Sequence, residues 1–135
     1  MKYMIMMFGS AATMMETQSK EWIMEMNNFM HTLNDDLTRS GELVGAQGLA
    51  DGSQAKTVSL QNGIPVATDG PYAESKESLI GFWTVDVDSE QRAIDIASRV
   101  VAVIGPAGAP PVEVRQIMDA PPEIEALGAA GSVVG

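Results

Sequence analysis

The chain contains no cysteine and a single histidine, His31. The first absence excludes disulfides, thiolate nucleophiles, iron–sulfur clusters and cysteine-ligated zinc, and the second excludes a multi-histidine metal site built from one chain. Asp35 and Asp36 are carboxylates, but adjacent helical residues point apart, so no metal site is expected there. No glycine-rich phosphate loop links a strand to a helix, and no cofactor is expected. Basic residues are scarce, with eight Lys+Arg against 18 Asp+Glu and a net charge of −10. That balance opposes phosphate-backbone binding, and no aromatic-and-basic stretch suits RNA stacking, so nucleic acid is not an expected partner. Long apolar runs are also missing. The run Tyr3–Phe8 falls short of the ~7–15 residues of a signal-peptide core and far short of the ~18 of a membrane span. A first β-strand and a cytoplasmic protein without a membrane partner are expected instead. What is present is ordinary globular composition: 135 residues, 14.3 kDa and 45% hydrophobic residues, the size of one domain.

Tyr3–Phe8 reads as a buried strand that ends at Gly9-Ser10, and residues 9–18 read as a small-residue loop. A helix is predicted from about Ser19, a good N-cap, to Ser40, with Gly41 as the terminating residue. Trp22, Met26, Phe29, Leu33 and Leu37 share one helical face, widened by Ile23 and Met30. Glu42–Leu49 is a second strand whose Gly45 and Gly48 suggest a bulge or a close backbone approach. Ala55–Leu60 and Ile64–Ala67 form a hairpin around Asn62-Gly63, with Pro65 marking an edge. Leu79–Val87 is the strongest strand. Asp88, with Gln91 three residues on, predicts the cap of a second helix with Ala93, Ile94, Ala97, Val100, Val101 and Ile104 on its apolar face. Val112–Met118 is the last strand. The domain is expected to span residues 1–119, and residues 120–135, rich in Ala, Gly and Pro, are expected to form a mobile tail.

This order predicts an α+β fold of the ferredoxin-like, split βαβ kind, with two helices on one face of a mainly antiparallel sheet. The strands carry apolar residues of both parities, such as Ile5 with Met6 and Phe82 with Trp83. The second face therefore calls for a cover, and a homodimer that pairs two sheets is expected.

The segment Thr68-Asp69-Gly70-Pro71-Tyr72-Ala73-Glu74-Ser75-Lys76-Glu77, followed by Ile80-Gly81-Phe82, resembles the signature of the DGPF branch of the YCII-related proteins. Met1-Lys2-Tyr3-Met4, Gly41-Glu42-Leu43-Val44 with Gly48-Leu49, and Val112-Glu113-Val114-Arg115 resemble their strands, so the resemblance covers roughly residues 1–119. Tyr72 stands where the signature has Phe. The stretch Gly105–Pro111 carries no charge where relatives often have an arginine-containing loop. The resemblance implies a dimeric α/β barrel. For activity it implies two alternatives. One is a lyase-, isomerase- or dehalogenase-like enzyme acting on a small organic acid or lactone in a dimer cleft. The other is a non-catalytic metabolite-binding or regulatory module, since some relatives accompany sigma factors.

The residues offer candidates for either use. Asp69, Gly70 and Pro71 have the chemistry of a rigid Asx-type turn. Together with Tyr72, Glu74 and Lys76 they also place an acid/base pair and a cation around one small pocket, where Asp69 is the catalytic candidate. His31 is the obvious general base by its chemistry. Its helical position, about 140–160° from the apolar stripe, makes it solvent-facing unless a partner covers that face. Arg115 lies in a strand and is either paired with a carboxylate or aimed into the cleft, where with Lys76 it would hold a carboxylate ligand. Nine of the ten methionines fall within the first 30 residues. Packing in the core or a dimer interface is the favoured reading for them, over a hydrophobic ligand pocket.

Overall fold

The computed structural model describes residues 1–69 and 78–120. The expected tail beyond Ala120 lies outside the described residues. The elements run β1 (Lys2–Gly9), α1 (Ala11–Thr17), α2 (Lys20–Arg39), β2 (Leu43–Gly48), β3 (Lys56–Gln61), β4 (Ile64–Asp69), β5 (Ser78–Asp86), α3 (Glu90–Ile104) and β6 (Glu113–Gln116). Strands β2, β5, β1 and β6 form one antiparallel sheet in that order, and β3 pairs with β4 in a separate two-stranded sheet. The fold is α+β and ferredoxin-like, with β5 inserted between β1 and β2 as a split βαβ unit requires.

Helix α2 obeys its sequence closely. The Ser19 side chain accepts a hydrogen bond from the Trp22 N–H, and the chain leaves the helix through Gly41 at φ 78°. Met26, Leu33 and Leu37 are buried, with Trp22, Phe29 and Met30 packed around them. The hairpin also forms as read: Asn62 and Gly63 both take positive φ, 54° and 78°, the geometry of the two-residue turn that asparagine and glycine favour.

The structure corrects three expectations. Residues 11–17 are helical, not a loop: the Ser10 hydroxyl caps α1 by accepting from the Thr13 N–H. The cap of α3 is Ser89, whose side chain accepts from the Arg92 N–H, one residue beyond the expected Asp88. Its buried face is Ala93, Ile96, Ala97, Val100 and Ile104, while Ile94 and Val101 are exposed. Strands β3 and β4 do not join the main sheet.

One core lies between the sheet and the helices. Tyr3, Ile5 and Met7 of β1 meet Trp83, Val85 and Val87 beneath Leu33, Leu37, Ile96 and Val100. The opposite parity, Met4, Met6 and Phe8 with Phe82 and Thr84, belongs to the other face of the sheet. Two bulges shape the sheet. Val44 is extra between Leu43 and Gly45, and Ile80 is extra between Leu79 and Gly81. A bulge re-aims a side chain, and Ile80 packs against the core.

Helix α3 is tied to the end of α2 by charge. The Arg92 Nε and Nη2 each donate to Glu42 at 2.8 Å, and the Ser40 hydroxyl donates to the same carboxylate at 2.7 Å. The Arg92 hydrogen bond, opposed by partial burial and helped by Ser40, holds the Glu42 carboxyl at about 2, below the ordinary 4.5. Because the folded pKa is the depressed one, this stabilisation is complete above about pH 4.5 and is lost as pH falls toward 2. Glu42→Gln is expected to cost about 1–2 kcal/mol at pH 7, discounted because Arg92 is half-exposed. It should also flatten the fall in urea midpoint between pH 4.5 and 2. A variant whose midpoint falls as steeply as that of the native chain would show that this pair does not govern acid stability.

Candidate functional site

The residues singled out from the sequence do not share one site among the described residues. Asp69 ends β4 and forms an ion pair with Lys56 across the hairpin. Its side chain is 86% exposed, so the pair contributes no more than about 1 kcal/mol. Gly70, Pro71, Tyr72, Glu74 and Lys76 lie outside the described residues. His31 is exposed on α2, on the side its helical position predicts. Arg115 stands on edge strand β6 opposite Met4 and pairs with Glu113 at 3.1 Å, exposed. No hydrogen bond or ion pair among the described residues links Asp69, His31 and Arg115.

A concave site forms elsewhere, between α1, α2 and the sheet. A groove of about 200 Å³ is lined by five methionines, Met7, Met14, Met15, Met26 and Met30. Trp22, Ile23, Ile80 and Ile104 complete its apolar wall, and Asn27 is its polar side chain. Next to it a smaller cavity of about 110 Å³ lies between α2 and strands β2 and β5, and its lining includes Asn34, Ala46, Phe82 and Trp83. Met7, Met30 and Gly48 line both, so the two form one cleft with an apolar body and a polar end.

Each wall has a local cause. Met26, Met30 and Asn34 recur every four residues, which stacks them along one ridge of α2. The bulge at Ile80 turns that side chain into the groove. Gly48 pairs with Gly81 on the helix-facing side of the sheet. A Cβ on Gly81 would stand 3.1 Å from the Met7 methyl and 3.2 Å from the Gln47 carbonyl oxygen, whereas a Cβ on Gly48 would meet nothing within 4 Å. Gly81 therefore permits the close approach of strands, and Gly48 leaves the cleft open.

Helix α1 closes the groove on one side and is tethered by Asp51. That carboxylate accepts from the Ser53 hydroxyl and N–H and, at 3.0 Å, from the Ala12 N–H. The Ser53 hydroxyl, then the Ala12 N–H, hold its carboxyl at about 2. At the polar end the Trp83 Nε1–H donates to Asn34 Oδ1 at 2.7 Å. Trp83 is 3% exposed, so this bond is fixed from below by the core.

Chemically, the described lining of the cleft carries amides and no Asp, Glu, His, Lys or Arg. It can surround an apolar molecule and hydrogen-bond it at one end. Among the described residues there is no cluster of three metal-ligating side chains. Nor is any described helix long and apolar enough to cross a membrane. Sequence reasoning missed Asn27, Asn34 and the helix α1 that carries Met14 and Met15. The available signal was Ser10 followed by good helix formers, Ala11, Ala12, Met14, Met15 and Glu16.

An uncharacterised protein of Rhizobium meliloti (strain 1021) is 36% identical over 58 residues, 43% of this chain. The match spans about half, 47%, of that protein's length. The model of the YCII-related domain matches residues 1–119, nearly the whole chain, and the chain belongs to that family.

Proposed function

We propose that the protein is a binding module for a small, neutral, mainly apolar metabolite held in the methionine-lined groove, and that it works as a homodimer joined through the open sheet face. The groove carries the first part. Methionine side chains are unbranched and polarisable, so five of them around about 200 Å³ make a wall that adapts to a ligand's shape. A mostly apolar concavity with a few polar groups is the usual form of a small-molecule site. A carboxylate ligand is disfavoured, because burying it needs a paired cation and the described lining offers none. The same composition favours sensing over the enzymatic reading, in which Asp69 or His31 would transfer a proton to or from a small organic acid or lactone.

Charge supports the second part. On the open face the half-buried Met4, Phe8 and Phe82 surround the already buried Met6 as an apolar centre. The charged residues of that face by register are Lys2 with Asp86 and Arg115 with Glu113, two of each sign. The side-chain charges of this face balance and the Met1 ammonium pairs with Asp86, so on a chain of −10 the face is suited to meeting its own copy with little repulsion.

Fluorescence and thermal shift test the groove. Trp22 and Trp83 are the only tryptophans, and both line the cleft. Indane and related neutral aromatics are expected to shift tryptophan emission and raise the melting temperature. A ligand at 100-fold above its Kd adds about 2.7 kcal/mol. Gly48→Leu fills open space without strain in the strand, and is expected to remove the response while keeping the fold. No response in the native chain, or an equal one in Gly48→Leu, would overturn the groove as the ligand site.

A further inference from the structure

We propose that Asn34 reads the ligand, and that it selects a carbonyl oxygen by presenting a fixed N–H donor at the end of the cleft. This deepens the reading above and rests on the groove being a ligand site.

An asparagine amide can turn either its oxygen or its nitrogen toward a neighbour. Here the neighbour decides. The Trp83 indole is a donor only, so the amide must point Oδ1 at Nε1, where the two atoms stand 2.7 Å apart. Nδ2 is thereby turned away from Trp83, and no described group accepts a hydrogen bond from it. Every buried side-chain nitrogen or oxygen among the described residues has a partner, so an unbonded Nδ2 is one that solvent reaches. Asn34 lines the smaller cavity, which makes that cavity the polar end a ligand meets.

The donor also arrives preorganised. Trp83 is 3% exposed and paired with Ile5 in the middle of the sheet, and Asn34 lies one residue from fully buried Leu33 on α2. Neither side chain needs to move to offer the N–H. One turn earlier on α2 stands Met30, shared with the apolar groove. A molecule whose oxygen meets Asn34 Nδ2 therefore lays its body along Met30, Met7 and Met26.

The chemistry narrows the partner to a neutral carbonyl compound. A carbonyl accepts and leaves no donor of its own to be buried unpaired. A hydroxyl brings a hydrogen that must also recruit Gln47, which lines the same cavity, as its acceptor, and a carboxylate brings a charge that amides alone cannot offset.

The test compares 1-indanone with indane, two molecules of the same shape, by tryptophan fluorescence titration of the full chain. Two variants are measured beside the native protein. Asn34→Asp keeps an oxygen for Trp83 and removes the N–H donor. Trp83→Phe keeps the amide and removes the group that orients it. Each is expected to weaken 1-indanone about tenfold more than it weakens indane. In the native chain the Trp83 indole N–H resonance should shift further when 1-indanone binds than when indane binds. If the variants weaken both molecules alike, or if indane alone binds the native chain, Asn34 does not read a carbonyl and the groove still stands. If neither molecule binds the native chain, the groove reading and this inference both fall.

Discussion

Leu33→Ala is expected to lower the free energy of unfolding by about 3–5 kcal/mol, whereas His31→Ala, two residues earlier on the same helix, should change it by less than about 0.5 kcal/mol. Leu33 is fully buried beneath the two helices and joins Leu37, Ile96 and Val100 in the one core. Deleting its side chain removes apolar burial and leaves a cavity in a closely packed core that relaxes only partly. His31 is exposed and has no hydrogen bond among the described residues, so its loss removes almost no contact. Urea denaturation of both variants gives the two numbers directly. A His31→Ala variant that loses more than about 1 kcal/mol would mean that something covers that face of α2, in practice a second copy of the chain. A Leu33→Ala variant within about 1 kcal/mol of the native chain would place the core elsewhere than between α2, α3 and the sheet.

The same helix shows how much of this molecule can be read before folding. Its 20 residues repeat the apolar spacing over five turns and carry a serine at each end, so pattern and caps agree. Asn62-Gly63 is equally legible, because only residues that tolerate positive φ can close a two-residue hairpin. Helix α1 is not, because two turns contain too few repeats for periodicity, and a helix of seven residues is held by its surroundings, here Asp51. On α3 apolar residues occur all round, at Ile94, Ile96, Val100, Val101 and Val103, so spacing alone chose Ile94 and Val101 where folding buried Ile96. The cleft was the least legible part. Asn34 acquires its meaning from Trp83, 49 residues away, and the methionines acquire theirs from the bulge that brings Ile80 into the same wall. The sequence motif pointed instead to Asp69, whose described surroundings are a hairpin and an exposed lysine.

Met4→Glu is expected to convert the proposed dimer into a monomer that keeps its fold. Met4 lies on β1, in the middle of the main sheet, with Thr84 on one side and Arg115 on the other, and it faces away from the core. In one chain the new carboxylate would sit beside the Arg115 guanidinium on a solvated face, so the urea midpoint should barely move. In a symmetric pair of sheets the substitution appears twice at the centre of the joint. Each carboxylate would then lose water among Met6, Phe8 and Phe82 of both copies, at a cost of several kcal/mol. That predicts a rise in the dimer Kd of at least about a thousandfold. The charges already on this face sit toward its rim and nearly cancel, so the proposed dimer should depend only weakly on salt, while the overall charge of −10 makes higher salt favour association slightly. Sedimentation velocity of both proteins at micromolar concentration separates the outcomes. A native chain that sediments as a monomer would remove the sheet face as an interface. A variant that remains dimeric would move the interface to the exposed apolar face of the β3–β4 hairpin, where Val58 and Leu60 stand 67% and 72% exposed. Apart from Phe82 and Gln47 at the smaller cavity, the cleft lies on the opposite side of the sheet from Met4, so ligand binding should survive dissociation in either case.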